Sequence, residues 1–207
     1  MRYILSIRGT NGSGKSTIPM SMMDDPNMHI IIKPYQGKPT KIATVFPTYG
    51  WVALGPYYFD KNGGADCLRD KIIIQKAFWY MLKNYPEYSL ILEGMIPSHI
   101  FSTYFELFTV AEKKYPDLQT VILELTTPVE TCLERIQHRN GGKPINENNI
   151  ISNYKGARSS CKKFEDSGVT VLRWNTIQNL PVEFKKYPKI YKLIHHSEKV
   201  RERRMLK

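Results

Sequence analysis

Residues Gly9, Thr10, Asn11, Gly12, Ser13, Gly14, Lys15 and Ser16 spell GTNGSGKS, a full match to the phosphate-loop pattern GxxxxGK[ST]. Each residue type has a task in holding a triphosphate. Gly9, Gly12 and Gly14 allow backbone conformations that turn successive N–H groups, including those of Thr10, Asn11 and Ser13, onto phosphate oxygens. Lys15 spans to the β and γ phosphates, the Ser16 hydroxyl suits Mg²⁺, and Thr17 opens the helix that follows. The apolar run Tyr3-Ile4-Leu5-Ser6-Ile7 supplies the strand that must precede such a loop. A nucleoside triphosphate site for ATP and Mg²⁺ is the expectation.

Two further groups could act on a bound phosphate. Ser89-Leu90-Ile91-Leu92-Glu93-Gly94 is an apolar strand ending in an acid and a glycine. Glu93 would emerge at the carboxyl edge of a sheet beside the phosphates. There it can orient the water of Mg²⁺ or accept the proton of an attacking hydroxyl; it can also simply cap the next helix. Arg135 and Arg139 are spaced i, i+4 on a helix leading into Asn140-Gly141-Gly142-Lys143-Pro144. Two guanidinium groups one turn apart before a glycine-rich loop suit a lid that clamps the transferring phosphoryl group. Arg158 and Lys162, also i, i+4, are expected to extend that lid.

Elements that would position these groups alternate as strands and helices, which predicts an α/β fold with a mostly parallel sheet. Residues 29–33 form a short apolar run consistent with a buried strand. Residues 41–46 and 51–54, separated by Pro47-Thr48-Tyr49-Gly50, predict a β-hairpin. Asp60-Lys61-Asn62-Gly63-Gly64 is a loop by composition, and 65–82 carries helical spacing. Helices are expected at 98–115, from 128 onward and over 148–164, with strands at 120–125 and 169–174.

The chain's 207 residues suit one domain, placed at 1–180, with a basic extension at 181–207. Residues 185–207 hold nine Lys/Arg against Glu198 and Glu202, +7 of the chain's net +11. That segment reads either as a solvated helix or as a basic arm for a polyanion, with Tyr187, Tyr191, His195 and His196 interleaved. Cys67, Cys132 and Cys161 are far apart with no CxxC spacing, which argues against disulfides or zinc. No signal peptide or membrane span is expected, so the prediction is a cytoplasmic protein with reduced thiols.

The GTNGSGKST loop, the LILEG strand and the stretch LTTPVETCLERIQHR together resemble the P-loop kinases of the nucleoside and nucleotide kinase type, over roughly residues 1–174. The resemblance implies a five-stranded, mostly parallel sheet flanked by helices, with a small β-hairpin insertion, an Arg-bearing lid, ATP at the loop and the acceptor opposite. Leu54-Gly55-Pro56-Tyr57 followed by Gly63-Gly64-Ala65-Asp66 is similar to the GxY…GGxD feature of phage-type kinases that phosphorylate 5-hydroxymethyluracil already incorporated in DNA, a step in thymidine hypermodification. That narrower resemblance implies DNA as the partner and the host cytoplasm as the location. It also implies that Tyr57, Gly63, Gly64 and Asp66 meet the substrate. Asp66 then competes with Glu93 for the role of base, or hydrogen-bonds the uracil, or caps the helix at Cys67. Tyr49, Trp51, Tyr57 and Tyr58 are either exposed for stacking on a flipped base or are core and hairpin packing, since aromatic residues favour strands. Kinases of free nucleotides carry an Arg paired with the acid where this chain has Gly94 and Met95, a departure that favours a substrate held by other contacts. The alternatives are a kinase of free deoxynucleoside monophosphates and a P-loop ATPase whose tail binds nucleic acid.

Overall fold

The structure, a computed structural model, describes residues 1–58 and 63–205. Asp60, Lys61 and Asn62 of the expected loop lie outside the described residues.

The chain runs β1 (Arg2–Arg8), α1 (Thr17–Met20), β2 (His29–Tyr35), β3 (Lys38–Phe46), β4 (Trp51–Leu54), a 3-10 turn (Ala65–Leu68), α2 (Lys71–Asn84) and β5 (Ser89–Glu93). It continues α3 (Met95–His99), α4 (Ser102–Lys114), β6 (Leu118–Leu125), α5 (Val129–Arg139), α6 (Glu147–Asp166), β7 (Thr170–Trp174), a second 3-10 turn (Val182–Lys186) and α7 (Pro188–Met205). One seven-stranded sheet results, ordered β2-β3-β4-β5-β1-β6-β7. From β4 to β7 the neighbours are parallel, and β3 and β2 extend the sheet antiparallel beyond β4, so it has seven strands rather than the five the resemblance implies, with the expected hairpin of 41–46 and 51–54 built into it.

Burial on both faces explains why the central strands read as continuous apolar runs. In β1, Ile4 faces a layer made with Phe78, Phe108 and Phe164, whereas Tyr3, Leu5 and Ile7 face the opposite layer with Ile18, Ile190 and Leu193. The pleat thus sends alternate residues into two separate cores. The run at 29–33, expected to be buried, is instead an edge strand with His29 and Ile32 exposed. Its only sheet neighbour among the described residues is β3, so no strand pairs beyond it.

Two expected helices are broken. At Arg69 the backbone enters the left-handed region (φ +58°), which stops the helix expected over 65–82, and Asp70 restarts it by accepting the Ile72 N–H at 2.7 Å. The helix expected at 98–115 divides into α3 and α4 at Ile100, whose backbone is extended. After the phosphate loop α1 stops at Met20, yet Met22 and Met23 remain buried in the turns that follow.

Arg8, fully buried at the end of β1, ties α3 and α6 to the sheet. Its guanidinium donates to the Ser98 carbonyl (3.3 Å) and the Ser160 hydroxyl (2.7 Å) and lies 4.3 Å over the Phe164 ring. Burial lowers its pKa to about 10. Among the described residues no helix is long and apolar enough to cross a membrane.

The basic C-terminal segment folds onto the domain. Ile190, Leu193 and Ile194 recur at helical spacing and are 0–3% exposed in the same core as Leu5 and Ile18, while Lys192 and Lys199 face outward. Leu193→Ala and Ile194→Ala should each destabilise the protein by about 2–5 kcal/mol in chemical denaturation. The outward Lys192→Ala should stay within about 0.5 kcal/mol of the parent.

Candidate active site

The phosphate loop lies between β1 and α1 at the carboxyl edge of the parallel strands, along one wall of a cleft of about 780 Å³. Internal hydrogen bonds fix its shape: Ser13 Oγ donates to the Thr10 carbonyl (2.8 Å), and Thr10 Oγ1 donates to the Ile150 carbonyl (3.1 Å). Gly12 has φ +79°, and a Cβ there would collide with the Cys132 carbonyl of α5, so the position needs glycine on both counts. Asn11, Gly12, Gly14, Lys15, Ser16 and Thr17 all line the cleft; Gly9 and Thr10 lie behind it, as carbonyl partners of the Lys15 ammonium at 2.9 and 2.8 Å.

Glu93 and Asp66 meet the loop at the same end of the cleft. Glu93, 2% exposed at the end of β5, accepts the Tyr57 hydroxyl at 2.7 Å and a hydrogen bond from Ser16. Burial raises its pKa against the opposing pull of Lys15, Tyr57 and Ser16. Burial likewise lowers that of Lys15, opposed by the charges of Glu93 and Asp66. Asp66 does not cap the turn at Cys67. Its two oxygens accept the backbone N–H groups of Met95 (2.6 Å) and Ile96 (3.0 Å), so it reaches across to the start of α3.

Absent side chains create this pairing. A Cβ on Gly64, itself at φ +102°, would run into Glu93 Oε1, and one on Gly94 would stand 2.6 Å from Asp66 Oδ1. A Cβ on Gly63 would strike the Pro56 carbonyl. The spacing GxY…GGxD is therefore a packing pattern that lets the segment after β4 lie directly on the end of β5. It also corrects the reading of these aromatics as exposed: Tyr57 is 1% and Trp51 2% exposed, because the first is the hydrogen-bond partner of Glu93 and the second is core. Tyr49 packs against His196 at 5.2 Å, and Tyr58 lies under Lys41 at 5.0 Å.

Arg135 and Arg139 also line the cleft, and the charge of Arg139 bears on Lys15. Arg135 donates to the Gly12 carbonyl (3.2 Å) and to Thr176 Oγ1 (3.1 Å). Burial lowers its pKa, and Arg201 adds to the effect. Arg158 and Lys162 do not join them: Arg158 stands 3.7 Å from Glu124 and Lys162 2.7 Å from Asp166. Three cleft residues escaped the sequence reading. Arg201 of α7 donates to the Thr176 carbonyl and lies 5.8 Å from the centre of the Trp174 ring; Thr176 joins it to Arg135; Arg69 stands beside Asp66. Arg201 was visible only as one cation in a basic helix, and no local spacing links it to a loop 185 residues earlier.

A loop for phosphates, the buried Glu93 and half-buried Asp66 near its lysine, and a row of arginines suit the movement of a phosphoryl group between oxygens. A family model described as 5-hmdU DNA kinase matches residues 2–173. The chain belongs to this family. A 5-hmdU DNA kinase of Bacillus phage SP10 is 38% identical over 174 residues, covering 81% of this chain and 26% of that protein. The chain thus spans about a quarter of that relative. 5-hmdU DNA kinase 1 of Salmonella phage ViI is 34% identical over 80% of this chain and 72% of its own length. The 5-hmdU DNA kinase of Pseudomonas phage M6 is 32% identical over 85% of this chain and 93% of its own. The family match ends before α7, so Arg201 and Thr176 lie outside it.

Gly64→Ala should displace Glu93 from Lys15 and lower phosphoryl transfer about 100-fold or more, read as kcat on a folded protein. Glu93→Gln should do the opposite to stability. Because the folded state holds the Glu93 proton more tightly than the unfolded chain, its contribution is full at acid pH and is lost as pH rises through the raised pKa. The Gln variant should therefore melt higher than the parent at pH 7, with the gap closing as pH falls below the ordinary carboxylate range.

Proposed function

We propose that this protein transfers the γ-phosphate of ATP to the hydroxymethyl group of 5-hydroxymethyluracil in DNA. The observation that carries the reading is the convergence of Lys15, Glu93 and Asp66 at one end of the cleft, in a chain that belongs to the 5-hmdU DNA kinase family. In the step, the hydroxymethyl oxygen attacks the γ-phosphorus, the bond from that phosphorus to the β–γ bridging oxygen breaks, and ADP leaves. The hydroxyl proton passes to a carboxylate.

Of the two acids, we assign Glu93, beside Ser16, to the donor side, and Asp66, whose oxygens accept the Met95 and Ile96 amides just after Gly94, to the hydroxyl proton. Ser16 and Glu93 offer an oxygen pair that fits Mg²⁺, a hard cation content with few protein ligands and several waters. Bound there, Mg²⁺ would neutralise charge on the β and γ phosphates. Lys15, Arg135 and Arg139 supply the remaining positive charge for the transferring group. No arginine is paired with Glu93 as in the free-nucleotide kinases; Gly94 and Met95 follow it, and the Met95 sulfur lies 3.6 Å from Lys15 Nζ. An acceptor held by a longer nucleic acid does not need that arginine.

Incubation with γ-labelled ATP should move label onto duplexes containing 5-hydroxymethyluracil and not onto thymine duplexes, with the phosphorylated nucleoside identified by mass after digestion. Lys15→Ala should abolish the signal. Asp66→Asn should lose transfer while still binding ATP, and Glu93→Gln should raise the Mg²⁺ concentration needed for half-maximal rate. Label appearing only on free deoxynucleoside monophosphates would instead make the protein a nucleotide kinase.

A further inference from the structure

We propose that the hairpin of β2 and β3 is the surface on which the DNA backbone rests while the target base enters the cleft. This rests on the reading of DNA as acceptor. Between Asp25 and Asp60 the sequence has no acidic residue, and the hairpin within that span carries Lys33, Lys38 and Lys41. Lys38 and Lys41 are exposed and Lys33 is half-buried. Among the described residues none of the three stands within ion-pair distance of a carboxylate. Each unpaired ammonium is available to neutralise a phosphate and release its counterion.

Position ties the hairpin to the acceptor. β3 runs antiparallel to β4 with Ala43 opposite Leu54, so residues 38–41 continue past the end of β4, at the sheet edge where Glu93 emerges. The tip is fastened there. Tyr35 stands 3.4 Å from Asp70, next to the cleft residue Arg69, and Lys76 of α2 lies 5.4 Å over the Tyr35 ring. Lys41 sits 5.0 Å over Tyr58, whose neighbour Tyr57 holds Glu93. Cations interleaved with half-buried tyrosines, on a ribbon at the acceptor end of the cleft, suit a phosphodiester backbone with a base extruded from it.

The outward lysines of α7 are the competing surface. That helix crosses the other face of the sheet, where its first turn reaches Gly50 at the far edge through Lys189 (2.8 Å) and its last turn reaches Thr176 at the nucleotide end through Arg201. Its charge is thus spread from the far edge to the nucleotide end, on the face of the sheet away from the hairpin tip's contact with α2.

The test is fluorescence anisotropy of a 5-hydroxymethyluracil duplex titrated with protein at several salt concentrations. K33E/K38E/K41E should bind at least about tenfold more weakly near 0.15 M salt, with a log–log salt slope shallower by about 2–3, roughly one for each phosphate left without its lysine. Its KM for ATP and its melting temperature should match the parent, and K33Q/K38Q/K41Q should show a smaller loss in the same direction. Charge reversal at Lys192 and Lys199 should leave DNA binding within about twofold. An unchanged slope in the hairpin variants, or a loss confined to the α7 variant, overturns the inference. Wild-type protein that labels DNA while the hairpin variants keep parental DNA affinity refutes the surface alone. Hairpin-dependent DNA binding with label confined to free nucleotides refutes the kinase reading and leaves the surface standing. Wild-type protein that binds no DNA refutes both.

Discussion

Everything at this site depends on one carboxylate kept inside the protein. Glu93 is 2% exposed, and the free energy of holding an anion there must be recovered locally. Tyr57 and Ser16 recover part by hydrogen bonding and Lys15 part by charge, although burial still dominates and keeps the proton affinity high. The three partners come from two places: Tyr57 from the segment after β4, Lys15 and Ser16 from the phosphate loop. Placing Glu93 correctly therefore places the acceptor segment against the donor loop. Glycines at 64 and 94 allow an approach that a single methyl group would block.

That dependence explains what could be read from sequence. The phosphate loop and the acid at the end of β5 are local patterns, in which the residue types at fixed spacing dictate the conformation, and both lie where expected. The parallel strands were legible because burial on two faces leaves an uninterrupted apolar run. The edge strand was not: Ile30, Ile31 and Ile32 look like core, and only the strand order reveals that, among the described residues, no strand pairs beyond them. The aromatic residues stayed ambiguous. Tyr57 and Trp51 read as surfaces for a base or as packing, because composition cannot tell a buried ring from an exposed one. The glycines of the GGxD segment were legible as a motif, but their reason, contact with Glu93 across the chain, needs tertiary structure.

The C-terminal helix carries a related lesson about charge. In sequence, +7 in a terminal segment reads as a solvated helix or as a basic arm. The period of Ile190, Leu193 and Ile194 outweighs the charge, because burying three aliphatic side chains is worth several kcal/mol whereas exposed cations cost a helix little. Once the helix docks, its last turn has no choice but to bring Arg201 to Thr176, next to Arg135. A packing decision on one face thus adds a cation to the nucleotide end of the cleft.

Two populations of cation can then be separated by their partners. Arg2 with Asp117, Arg173 with Glu124 and Glu165, and Lys162 with Asp166 are neutralised within the protein, and none of them lines the cleft. Arg69, Arg135, Arg139 and Arg201 line it, and among the described residues none has a carboxylate within ion-pair distance. Four guanidinium groups around one cleft repel one another, and burial adds to the cost at Arg135. Such an arrangement gains its compensation from an anion that arrives from outside. Under the proposed function a triphosphate would supply that charge beside Arg135 and Arg139, and Arg69, three residues after Asp66, would meet the phosphates of an acceptor strand.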